Sequence, residues 1–137
     1  MGVELQKPAI DLGIVIQESE RSLAFYRDLL GFRHEADTPM PLGSGGVMHR
    51  LWCGDSMIKL VRFNETPEAR PPKGGIDAAT GYRYWTMQVS NLDEIMAACE
   101  EAGVKIAVPV SELPSGVRIG IVRDPDGNLV EFVQRSA

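Results

Sequence analysis

The chain has 137 residues, enough for one domain with its own core and too few for two. Apolar residues make up 44% and charged residues 24%, an ordinary composition for a folded domain. The formal charge of −5, with no basic stripe or arm, excludes a nucleic-acid binder, because nothing neutralises a run of phosphates. Cys53 and Cys99 form no CxxC pair, so no disulfide framework is expected, and Cys99 reads as a buried, inert thiol. Residues 1–8 lack the apolar stretch of a signal peptide, and no run approaches the roughly 20 apolar residues that cross a bilayer. A cytoplasmic protein with no membrane or nucleic-acid partner is expected.

Residues 10–16 (IDLGIVI) are short, apolar and rich in branched side chains, the pattern of a strand. Ser19 then caps a helix, with Glu20 in its first turn and an apolar stripe of Leu23, Tyr26 and Leu30. Gly31 stands where a left-handed residue closes a helix. Residues 32–36 read as a second strand and 37–46 as a loop. Residues 47–53 and 57–63 read as a hairpin around Gly54, Asp55 and Ser56. The stretch 64–81, rich in proline and glycine, reads as a linker.

The second half repeats this order. Residues 82–89 form a strand. Asn91, with Glu94 three residues on, opens a helix that turns Leu92, Ile95, Met96, Cys99 and Ala102 inward and ends at Gly103. Residues 105–110 form a strand, placed near a sheet edge by Pro109. Residues 117–123 and 129–134 close a hairpin around 124–128, with Gly127 at positive φ. One constant offset in numbering carries Ser19 onto Asn91, Gly31 onto Gly103 and Lys59 onto Glu131 (91 − 19 = 103 − 31 = 131 − 59 = 72). The expectation is therefore one α+β domain over 1–137, made of two βαβββ modules at 9–63 and 82–135. They would form a curved mixed sheet around a cleft, with helices on the convex side.

The segments Ser-Leu-Ala-Phe-Tyr-Arg-Asp-Leu-Leu-Gly-Phe (22–32) and Asp-Pro-Asp-Gly-Asn-Leu-Val-Glu-Phe (124–132) resemble the two signatures of the vicinal oxygen chelate superfamily. That group includes glyoxalase I, bleomycin-resistance proteins, fosfomycin-resistance transferases, methylmalonyl-CoA epimerase and extradiol dioxygenases. The resemblance runs from about Ile10 to Gln134 and implies this fold, a homodimer and a small-molecule ligand. In metal-dependent members the first and last strands of each half supply the ligands, and the resemblance maps those positions to Leu12, Lys59, Tyr84 and Glu131. Only Glu131 keeps a usual ligand type. Leucine offers no donor, lysine carries a cation that repels the ion, and tyrosine ligates only as a phenolate. No bound metal and no other cofactor is expected.

Strand alternation completes the lining expected around these positions. Ile14 accompanies Leu12; Met57 and Val61 accompany Lys59; Thr86 and Gln88 accompany Tyr84; Leu129 and Val133 accompany Glu131. His49, on the other arm of the hairpin, is counted with the lining, a structural role being its other reading. Arg50 and Trp52 point away from His49, and His34 reads as a surface residue. With two histidines in the chain, no Ser-His-Asp set is expected. An apolar pocket with few polar groups suits a small, largely apolar carbonyl or hydroxyl compound. Lys59, Tyr84 and Glu131 are the candidate catalytic groups, a set for proton transfer beside a carbonyl. The function expected is a metal-independent lyase, isomerase or epimerase of glyoxalase-like type. The alternatives are a non-catalytic, bleomycin-resistance-like binder and, more weakly, a metal-dependent glyoxalase or dioxygenase. The same Lys59–Glu131 combination also reads as a plain ion pair.

Overall fold

The computed structural model describes residues 1–136. The chain divides into two compact units, Met1–Glu68 and Ala69–Ala137. In the first, β1 (Leu12–Val15) leads into α1 (Ser19–Leu23), which continues as a π-helical turn over Ala24–Leu29. Then come β2 (Arg33–Pro39), β3 (Gly46–Cys53) and β4 (Ser56–Phe63). In the second, a 3-10 turn at Ile76–Ala78 precedes β5 (Tyr84–Gln88), α2 (Leu92–Glu101), β6 (Ile106–Glu112), β7 (Arg118–Arg123) and β8 (Leu129–Gln134).

Each unit is a βαβββ module with its own four-stranded mixed sheet, ordered β1-β4-β3-β2 in one and β5-β8-β7-β6 in the other. The first strand of each module pairs in parallel with the last, and the other pairs are antiparallel. A parallel neighbour needs a crossover, and the helix after β1 or β5 begins it. The architecture is the α+β one that the duplicated sequence pattern indicates.

The helix of each module covers one face of its sheet. In the first module Ile14, Leu51, Ile58 and Leu60 are buried on the covered face, and α1 lies against β4. In the second, α2 brings Leu92, Met96 and Cys99 to β6, β7 and β8. The approach is close: a Cβ on Gly120 of β7 would lie 2.6 Å from Met96 Sδ. Leu92 opens α2 with its N–H donated to Gln134 Oε1 of β8 at 3.0 Å, so the helix start is tied to the sheet by a side chain from β8. Asn91 occupies the cap position, as its sequence context suggests, but makes no side-chain capping bond.

Some boundaries move. Strand β2 runs to Pro39, absorbing the start of the expected 37–46 loop, and Pro39 pairs with Val47. Strand β6 runs to Glu112; it lies at the sheet edge, and its register breaks between Val108 and Ser111, around Pro109. Glu18, not Ser19, takes the extended cap conformation before α1. The stretch 74–83 is no free linker, because Arg83 donates to the Ile76 carbonyl at 2.9 Å and Arg123 donates to the Gly74 carbonyl.

The two helical segments differ by a single residue. From cap to cap the first runs from Glu18 to Leu30, and the second, shorter by one, runs from Asn91 to Ala102. The π-helical turn is where the first module accommodates its extra residue. The consequence is a change of offset: the leading caps differ by 91 − 18 = 73 in number and the trailing caps by 102 − 30 = 72. Gly31 and Gly103, both past the helix ends and at φ 80° and 79°, obey the second offset.

Candidate functional site

Backbone partners in a sheet project their side chains to the same side. In the first module Lys59 is partnered by Gly13 on β1 and by Arg50 on β3. An ammonium and a guanidinium therefore share the face that α1 does not cover, beside a position without a side chain. Buried Met57 and Val61 flank Lys59 along β4. Trp52, partner of Met57, extends this face. Its Nε1 donates to Glu35 Oε1 at 3.1 Å, and Lys7 Nζ stands 4.6 Å from its ring centre. A shallow pocket of about 400 Å³ opens there, lined by Lys7, Pro8, Arg33, Trp52, Gly54 and Asp55.

Leu12 and Ile14 do not join Lys59. They pair with Ile58 and Leu60, so both face the α1 side, as does His49, which also pairs with Leu60. The extra helical residue explains the error in equating Leu12 with Tyr84. The β5 partner of Glu131 is Thr86 and the β1 partner of Lys59 is Gly13, a pair related by the larger offset that holds before the helix (86 − 13 = 73). The expected site does not include Arg50. Its place was legible in the hairpin: with a two-residue turn, Cys53 pairs with Ser56 and Arg50 falls opposite Lys59. Gly54, at φ 58°, stands first in that turn, where the II′ hairpin takes glycine.

In the second module the expected set does share one face. Tyr84, Thr86 and Gln88 pair with Leu129, Glu131 and Val133. Thr86 Oγ1 donates to Glu131 Oε1 at 2.5 Å, which orients the carboxylate. Tyr84 is 47% exposed, whereas Leu129 and Val133 are buried. Arg123 shares this face through its pairing with Leu129, but its guanidinium turns back to the Gly127 carbonyl at 2.9 Å.

A second polar group lies on the covered side of the first module. Asp37 Oδ1 accepts from both imidazoles, His34 Nε2 at 2.6 Å and His49 Nδ1 at 2.8 Å. The other nitrogen of His49 meets Ser19 Oγ at 2.8 Å. His34 is thus no isolated surface residue, and Ser19, His49 and Asp37 form the hydrogen-bonded series that the sequence reading held to be unavailable. The missing signal was the true extent of β2, which brings Asp37 directly opposite His49. Desolvation raises the affinity of Asp37 for its proton, but the bonds from His49 and His34 prevail and hold it below the usual carboxylate range. The thiols move the other way, towards inertness: burial pushes Cys99 up to about 11 and raises Cys53 as well.

Comparison with known proteins fits this architecture. Residues 10–132 match the Glyoxalase/Bleomycin resistance protein/Dioxygenase superfamily, and the chain belongs to that family. A glyoxalase family protein from Bacillus cereus is similar at 18% identity, with a TM-score of 0.82 and coverage of 98% of this chain and 97% of that one. A glyoxalase family protein from Enterococcus faecalis is similar at 21% identity, with a TM-score of 0.69 and coverage of 95% and 96%. TioX from Micromonospora is similar at 24% identity, with a TM-score of 0.69 and coverage of 95% and 100%. At these identities the structures speak for the fold alone. No curated protein matches the chain. Among the described residues no helix is long and apolar enough to cross a membrane.

Metal-dependent family members, as the resemblance implies, take ligands from the first and last strands of each module. The residues here do not fit such an ion. Lys59 and Arg50 place two cations on one face, Gly13 beside them has no donor, and the nearby Asp11 carboxylate has its Oδ1 taken by the Lys7 ammonium at 2.7 Å and the Met57 N–H at 2.9 Å. The second module offers one carboxylate, Glu131, with an oxygen already taken by Thr86, and the neutral hydroxyls of Tyr84 and Thr86. A divalent ion needs several oxygen or imidazole donors converging on it.

Proposed function

We propose that this chain is a lyase or isomerase that moves a proton beside the carbonyl of a small, largely apolar compound, without a metal on the Lys59 or Glu131 face. The observation that carries this reading is the pairing of Lys59 with Arg50 on the face of the first sheet that α1 does not cover. Cationic side chains at partnered positions, flanked by Met57 and Val61, suit an oxygen on which negative charge develops, once the Arg50 guanidinium leaves Met48 Sδ, on which it rests at 3.2 Å. Glu131, oriented by Thr86, is the base that takes the α-proton. Tyr84 is the neutral hydroxyl that donates to the substrate from the same face as Glu131. The proton then returns to carbon in an isomerase, or the electron pair expels a β-substituent in a lyase. Gln88, Leu129, Val133, Met57 and Val61 supply contact surface. A homodimer in the cytoplasm belongs to the same reading, and its mass in solution tests the pairing.

Compounds that raise the melting temperature identify ligands, which are then incubated with the protein in D2O. Exchange of the α-hydrogen supports the reading. Loss of a base costs roughly 10²–10⁴-fold and loss of an oxyanion partner roughly 10²–10³-fold, so Glu131→Gln and Lys59→Met both fall by about 100-fold or more. The double variant loses little beyond the worse single one when both groups serve one step. Tight binding with no exchange and no turnover turns the assignment to the binder that the apolar lining also suits.

A further inference from the structure

We propose that His34, Asp37 and His49 form a binding site for a divalent transition-metal ion of the zinc type, on the side of the first sheet that α1 covers. The site lies on the opposite side of that sheet from Lys59. His49 pairs with Leu60 and so points away from Lys59.

The donor atoms already converge. One nitrogen from each imidazole and one carboxylate oxygen lie within 4.8 Å of one another. Both imidazoles address the same oxygen, Asp37 Oδ1, at 2.6 and 2.8 Å. With metal–ligand bonds of about 2.0–2.1 Å, tetrahedral ligand atoms stand about 3.3 Å apart. The two contacts to Asp37 Oδ1 therefore lengthen by about 0.5–0.7 Å to admit the ion. Two imidazoles and a carboxylate are the donor set of a three-coordinate site with a fourth position for water. The strands hold them in place, because Asp37 on β2 is the direct backbone partner of His49 on β3.

Two further observations separate a metal site from a proton relay. A serine-type relay needs one imidazole on its aspartate; a second imidazole on the same oxygen adds nothing to it but supplies a third metal donor. The outer nitrogen of His49 is also engaged, by Ser19 Oγ at 2.8 Å. When Nδ1 takes the ion, Nε2 carries the proton and donates it to that hydroxyl, the oxygen partner that orients a ligating histidine. The side chain of His49 is 7% exposed and that of Asp37 49%, so the site has a closed back and a front open to solvent.

One neighbour opposes the ion. Arg27 Nη1 lies 3.5 Å from His34 Nδ1. With a metal on Nε2 the proton sits on Nδ1, and the guanidinium must turn aside. It already binds Asp28 at 2.8 Å through Nε and is 40% exposed, so it has room to do so. Removing this cation predicts tighter binding, an effect of opposite sign to loss of a ligand.

The test uses the tag-free full chain, stripped of metal by chelation and titrated with Co²⁺ in place of zinc. The expected result is d–d absorption of tetrahedral strength, saturating at one ion per chain. His34→Gln, Asp37→Asn and His49→Gln each abolish that saturation. Ser19→Ala weakens binding about tenfold, and Arg27→Gln strengthens it severalfold; these two variants keep all three ligands, so they remain informative if a ligand variant unfolds. A titration with no saturable band overturns the proposal. So does a band that survives Asp37→Asn, a thiolate charge-transfer band that locates the ion on Cys53, or weaker binding in Arg27→Gln.

Discussion

Arg50 and Lys59 face each other on adjacent strands, an arrangement that costs stability, because like charges directly opposite repel. Arg50→Gln is therefore expected to raise stability by about 0.2–1 kcal/mol, measured by denaturant unfolding, while weakening anionic ligands. A loss of stability with unchanged binding contradicts the role given to this pair. Thr86 makes the complementary case. Its side chain is exposed, and its hydroxyl orients Glu131. Thr86→Val is expected to leave unfolding within about 0.5 kcal/mol of the parent and to slow turnover by about five- to tenfold, read in kcat rather than KM. Thr86 and Tyr84 on one face were legible from strand alternation in the second half, and the family resemblance, not alternation, set Glu131 beside them. Leu12 and Ile14 were not, because alternation says which residues share a face within a strand but not how two strands are registered.

That register depends on an element the sequence does not announce. The π-helical turn Ala24–Leu29 gives the first helical segment one residue more than α2 has, and a repeat read from capping residues and terminal glycines passes over it. Strand and helix existence were legible from apolar patterning, and the modules from the constant offset between their landmarks. Strand ends were less so, and the unrecognised extension of β2 to Pro39 hid the Asp37–His49 pairing. At this scale Gln134 ties β8 to the start of α2. Gln134→Ala leaves the Leu92 N–H without that acceptor and is expected to cost about 1 kcal/mol, with faster hydrogen exchange in the first turn of α2. The N-terminal segment is anchored in a pH-sensitive way. A hydrogen bond from Lys7, then one from the Met57 N–H, holds the Asp11 carboxyl below its usual range. A depressed carboxyl stabilises the fold above its unfolded value near 3.8, and the benefit is lost as pH falls through the lowered folded value. Asp11→Asn is expected to flatten this part of the acid limb in unfolding measured against pH. The pair is exposed, so the effect is small.

Across the whole chain, one supersecondary plan is used twice with different chemistry. The face of the first sheet turned away from α1 carries cations at Lys59 and Arg50, and the face of the second turned away from α2 carries Glu131 with two hydroxyls. In the proposed reading, the positions that hold a catalytic ion elsewhere in the family have become a set for hydrogen bonding and proton transfer, while a separate His-Asp-His cluster lies on the covered side of the first module. The two assignments fail separately. Metal bound at His34, Asp37 and His49 is expected to leave the reaction unchanged, and loss of that site leaves Lys59 and Glu131 in place. The most direct measurement is α-hydrogen exchange in D2O, with the protein stripped of metal and held in excess chelator. The account predicts exchange at the full rate, reduced about 100-fold or more by either Lys59→Met or Glu131→Gln. Exchange that stops under chelation, returns with added divalent ion and ignores both substitutions contradicts it.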